Sequence, residues 1–214
     1  MRDQQKMGMT AIYADYSKQS NLTPELTEKF NDLLADSVMD NIDLITQVLH
    51  DGNSQAEVNR IFSDADTALL GKMQVLLGDD GLAKYKDYNQ NLASTLITAQ
   101  LAGQMTGDAA VKEDKRKQLL QVMQEETTAA LKNAGLPADY QVVPILNFRN
   151  IASESQAEQS LKLLDGIFNR LAIRGSSFLS PEEIARFETF KTNALNGNRT
   201  ALTMNRNLMA PLSK

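Results

Sequence analysis

"LTPELTEKFNDLLADSVMDNIDLITQVLHDG", Leu22–Gly52, reads as one complete helix carrying its own start and stop signals. Thr23 offers a hydroxyl N-cap, and Pro24 takes the first helical position, where a missing N–H is harmless. Leu26, Phe30, Leu33, Leu34, Val38, Ile42, Ile45, Val48 and Leu49 then recur at helical spacing, which is the signature of one buried stripe. Gly52 closes the run as a residue that accepts a left-handed C-terminal conformation.

The same grammar extends in both directions. Before Thr23, a segment from roughly Arg2 to Lys18 carries Ile12, Tyr13 and Tyr16 on one side. After Gly52, "SQAE" (Ser54–Glu57) predicts a reciprocal capping box. The helix it opens runs through Val58, Ile61, Phe62, Leu69, Met73 and Leu76 to the break at "GDDG", Gly78–Gly81. A third helix presents Leu82, Tyr85, Leu92 and Leu96 and ends near Gly103–Gly107. Near the other end, "LSPEEIARF" (Leu179–Phe187) echoes "LTPELTEKF" (Leu22–Phe30). Its capping box is complete in Ser180 and Glu183, whereas Leu26 replaces the acidic arm in the first copy. Both phrases read as helix starts.

With 11 glycines and 5 prolines in 214 residues and almost no strand-type alternation, the chain is expected to be all-α, rich in good helix formers. The net charge of −5 argues against a nucleic-acid footprint, which would show as a basic stripe. The longest basic cluster, Lys112–Lys117, is interrupted by Glu113 and Asp114 and reads as a solvated helix face. The absence of cysteine excludes disulfides and thiolate chemistry. No apolar run approaches the ~18 residues a membrane span needs. "MRDQQKMGMT" at the amino terminus has no apolar signal-peptide core.

The second half resembles the first. "DDGLAKYKDY" (Asp79–Tyr88) matches "PEEIARFETF" (Pro181–Phe190) in character, with Leu82 against Ile184, Tyr85 against Phe187 and Tyr88 against Phe190, 102 residues apart. "SQAE" recurs at Ser155–Glu158, and "NDLLADSVM" aligns with "KQLLQVM" when Leu33 is set against Leu119. These offsets imply two three-helix repeats, 21–105 and 106–213, with an insert at 136–151, "LPADYQVVPILNFRNI". The expected architecture is a single domain, an elongated helical bundle of about seven helices: the duplicated units plus an N-terminal helix. The longest helix is expected to hold about 26 residues and span about 39 Å.

Candidate chemistry is sparse. His50 is the only histidine, so neither a His-based metal cluster nor a catalytic triad can be assembled. It sits in a helix's last turn, where a cation complements the dipole. The carboxylate neighbours Asp64 and Asp66, Asp79 and Asp80, and Glu125 and Glu126 point to different helix faces and read as solvated charge. Met7 with Met9, and Met204 with Met209, would have to converge to hold copper(I); methionine more often fills irregular cores. No cofactor is called for. The insert is the candidate partner-binding segment, through Tyr140, Val143, Ile145, Phe148 and Arg149, since aromatics and arginine anchor interfaces. The other reading lays it across the bundle as packing.

The LTPE start, "LLGDDGLAKYKDY" and the terminal L-S-P-E helix together resemble a poorly characterised group of exported bacterial helical proteins. More distantly, the chain is similar to the periplasmic stress chaperones marked by LTxxQ, with Leu26 and Glu183 standing at the Gln position. The resemblance implies export, to the periplasm or outside, with the signal peptide removed; a cytoplasmic protein is the alternative. The expected function is a non-catalytic interaction or chaperone-like role, with a protein partner or self-association. The rival class is a metal sensor or enzyme whose carboxylates or methionines converge in a cleft.

Overall fold

In the computed structural model, which describes residues 1–210, the chain forms eight α-helices and, among the described residues, no strand. The last residues of the expected second repeat, 211–213, lie outside the described ones. The helices are α1 (Arg2–Ile12), α2 (Ala14–Gln19), α3 (Pro24–Asp51), α4 (Gln55–Ala102), α5 (Ala109–Asn133), α6 (Phe148–Ala152), α7 (Glu154–Gly175) and α8 (Pro181–Met209). A 3-10 turn at Pro144–Leu146 precedes α6. The longest unbroken helix is α8 with 29 residues, about 43 Å at the standard rise.

The terminus signals hold in detail. Thr23 Oγ1 accepts from the Leu26 N–H at 3.2 Å, and Gly52 ends α3 in the left-handed conformation, φ 65°. Ser54 and Glu57 close the capping box, with the Ser54 N–H donating to Glu57 Oε2 at 2.8 Å. The 48-residue run of α4 is two helices meeting at Gly78, whose φ 71° and ψ 178° belong to a region essentially restricted to glycine. Asp79 and Asp80 then open the second segment, where carboxylates favour the dipole's positive end. The start of α7 differs. Ser155 of the second "SQAE" lies inside α7, and Ser153, in extended conformation, is the cap, accepting from the Gln156 N–H at 3.4 Å. Two hydroxyls two residues apart compete for one helix start, and the earlier one takes it.

The chain divides into two compact units, one of Met1–Tyr88 with the described end of the chain from residue 206, the other Asn89–Asn205. In the first unit, Tyr13, Tyr16, Phe30, Tyr85 and Tyr88 form one aromatic cluster, with ring centroids 5.0–6.5 Å apart. Tyr16 and Phe30 are essentially inaccessible. The expected continuous N-terminal helix is broken at Tyr13 (φ −103°, ψ 12°). The Tyr88 hydroxyl donates to the Ile12 carbonyl at 2.8 Å and accepts the Tyr16 N–H, the two groups an unbroken helix would join to each other. A side chain inserted into the ladder is a recognised cause of a kink. Tyr88→Phe should therefore leave both backbone groups without partners and lower stability by about 1–3 kcal/mol, read as a shifted urea midpoint at unchanged slope.

In the second unit the core gathers Ile97, Leu101, Leu119, Met123, Leu131, Leu164, Ile167, Phe168, Leu171 and Phe187. Phe168 meets Phe187 and Phe190 edge-on, at 5.9 and 6.0 Å. Helices α5 and α7 are cross-tied by Arg170–Glu126 at 2.8 Å and by Arg174 to Glu125 and Glu126 at 2.6 and 3.0 Å. Glu125 and Glu126 are thus committed to arginines.

Candidate functional site

The expected partner-binding residues sit within the second unit. Tyr140, Val143, Ile145, Phe148 and Arg149 are all half-buried, and Tyr140 and Val143 pack against the core. The Tyr140 hydroxyl is bonded to Ser160 Oγ at 2.6 Å, Ser160 Oγ donates to Asn150 Oδ1 at 3.0 Å, and Asn150 Nδ2 donates to the Pro144 carbonyl at 2.9 Å. Asn150 and Ser160 are buried, at 0% and 1% exposure. The Ile145 N–H donates to Asn198 Oδ1 of α8 at 3.1 Å. This chain of bonds fastens the insert onto α7 and α8.

Several of the other candidates are engaged locally or face solvent. His50 Nδ1 lies 2.9 Å from Asp51 Oδ1 on the surface. Asp64 receives Arg60 across one helical turn at 3.3 Å. Met7 projects into solvent at 74% exposure. Among the described residues, no three His, Cys, Asp or Glu side chains converge as metal ligands, and no helix is long and apolar enough to cross a membrane.

Sequence reasoning treated Glu183 as a helix cap alone. It is also a buried hub. Its side chain, 3% exposed, accepts the Ser180 N–H at 2.8 Å, the Thr106 N–H at 2.7 Å and Thr106 Oγ1 at 2.9 Å, and pairs with Lys115 Nζ at 2.8 Å. Burial opposes ionisation, but Lys115 and the Ser180 and Thr106 donors outweigh it and hold the carboxyl well below the usual carboxylate range. With every oxygen satisfied, this carboxylate joins the α4–α5 connection, α5 and the start of α8, and it has no capacity left for a substrate.

An open groove in the first unit is different in kind. It has a volume of about 550 Å³ and is lined from α1 and α2 by Lys6, Thr10, Ala14, Ser17 and Lys18, and beyond α2 by Leu22, Pro24, Thr27, Glu28 and Asn31. On α1, Lys6 and Thr10 stand one turn apart on one helical face, and past the break at Tyr13 α2 continues the wall with Ala14, Ser17 and Lys18. Asn31 is 5% exposed, and its Oδ1 has no hydrogen-bond partner. Buried acceptors are almost always paired, and this one has no partner within the protein. No pattern in the linear sequence announces the groove, because its two walls come from separate helices.

Comparison with protein-family models, with curated proteins and with solved structures finds no match for the chain.

Proposed function

We propose that the protein works by binding a polypeptide segment in the α1–α3 groove without changing it chemically, as an exported interaction or chaperone-like protein. What supports this reading is the groove itself: apolar surface from Ala14, Leu22 and Pro24, hydroxyls from Thr10, Ser17 and Thr27, and among its lining residues Asn31, whose Oδ1 has no partner within the protein. An extended chain offers what such a surface accepts, namely small apolar side chains with backbone N–H donors among them.

The test is suppression of aggregation of a chemically reduced, unfolding client such as insulin, with light scattering as the readout. Substoichiometric suppression is expected. Ala14→Trp, at an exposed position on the groove wall, should weaken it several-fold while leaving the melting temperature nearly unchanged. No suppression at several-fold molar excess sinks the reading. Tight one-to-one binding of Cu(I), Zn(II) or Ca(II) in native mass spectrometry would favour the metal sensor instead.

A further inference from the structure

Helix α1 forms one wall of the groove, yet none of its residues is buried. Met9 and Ile12 are half-buried, and an ion-pair lattice also links the helix to α3: Arg2 to Asp36 at 2.5 Å and to Asp32 at 3.0 Å, Lys6 to Asp32 at 2.9 Å and to Glu28 at 3.6 Å. Every partner is at least about a quarter exposed, from 28% for Lys6 to 70% for Glu28. Exposed pairs of this kind hold weakly and are screened by salt.

Three further features make the attachment weaker still. Gly8 lies inside α1, and a Cβ there would meet nothing within 4 Å, so packing does not require the glycine, and it lowers helix propensity. Eleven residues are too few for a stable helix standing alone. Asn31 Oδ1 is buried beside the groove with no partner within the protein, and an acceptor of that kind gains from hydration when a neighbouring helix moves away. At Tyr13 the chain already leaves helical geometry. Beyond that point Tyr13 and Tyr16, 7% and 1% exposed, lock α2 into the aromatic cluster.

We infer that α1 is a salt-released strap, hinged at Tyr13, which swings away from α3 while α2 stays docked, and so widens the groove from one side. That the opening serves entry of a polypeptide rests on the binding reading above; the opening itself is measured with no client present.

Hydrogen exchange by mass spectrometry on the intact chain tests it. At low salt, amides of α1 should exchange at least about a hundredfold faster than those in the middle of α3, a gap set by local rather than global opening. Raising NaCl from about 0.02 M to about 1 M should speed α1 several-fold and leave α3 unchanged. The double variant Arg2→Ala with Lys6→Ala should exchange at low salt as the parent does at high salt. Asn31→Leu, which removes the unmet acceptor, should slow α1 about tenfold. Protection of α1 equal to that of α3, or α1 exchange indifferent to both salt and the double variant, overturns the strap. Salt-dependent opening without any suppression of client aggregation would leave the strap standing and remove the binding reading alone.

Discussion

Glu183→Ala should lower stability by about 3 kcal/mol at neutral pH, the scale expected when one partner of a buried pair is removed. The substitution strands the Ser180 and Thr106 N–H groups, the Thr106 hydroxyl and the Lys115 ammonium at once. The loss stays at the lower end of the range because Lys115, 16% exposed, can carry its head to water along its stem. Glu183→Gln should be nearly as damaging. One of its two terminal positions becomes an NH₂ group, and both positions now face donors. Lys115→Met should cost less, about 2 kcal/mol, since three donors still hold the carboxylate. Equilibrium urea unfolding at pH 7 gives the order. A Glu183→Ala midpoint within error of the parent would show that the hub contributes nothing net.

The same site gives a pH signature. Its folded-state carboxyl titrates below the ordinary value of 4.5, so its contribution is complete above that value and is lost progressively as the pH falls beneath it. The parent should weaken on acidification, and the gap between parent and Glu183→Ala should narrow below about pH 4. Asp32, Glu57, Glu113 and Glu125 also titrate low through their hydrogen bonds. These groups are all present in both proteins, so they cancel in the difference, and the narrowing isolates Glu183.

What the sequence made legible follows the range of the forces involved. Caps and breaks act within about four residues, so Thr23, Gly52, Ser54 with Glu57, and Gly78 could be read in place. So could the apolar stripes, which place Phe30, Phe62, Tyr85 and Phe187 in cores. The break at Tyr13 could not, because the hydroxyl that occupies it comes from Tyr88, 76 positions beyond Ile12. Nor could the second role of Glu183, which depends on Lys115, 68 positions away. A capping box explains that glutamate fully at the local level, and a sufficient local account conceals a tertiary one. The groove is a still harder case. Asn31 and Asn41 are both buried residues of α3, and nothing in the linear sequence says that Asn31 Oδ1 has no partner within the protein.

Asn150→Leu should cost about 3 kcal/mol and should decide what the insert is for. Asn150 links the Pro144 carbonyl to Ser160, and Ser160 in turn holds the Tyr140 hydroxyl, so its loss breaks the segment's own turn and one tie to α7 while the Tyr140–Ser160 bond stays. Leucine keeps asparagine's branching but is bulkier, so crowding at a fully buried site adds to the unmet Pro144 carbonyl, each about 1–3 kcal/mol. A network in which every member is satisfied specifies one arrangement; the same network half satisfied is worse than none. Tyr140→Phe removes only the outermost bond and should cost about 1 kcal/mol. A double-mutant cycle of the two substitutions should therefore give a coupling well above zero, because Tyr140 and Asn150 act through the shared Ser160. Additive effects, or an Asn150→Leu variant of parental stability that has lost association with a partner or with its own copies, would return the insert to the role of a binding segment. The bonds of Tyr140 and Asn150 to Ser160 of α7 and of the Ile145 N–H to Asn198 of α8 attach residues 136–151 to both helices, and the cycle measures how much of the unit's stability that attachment carries.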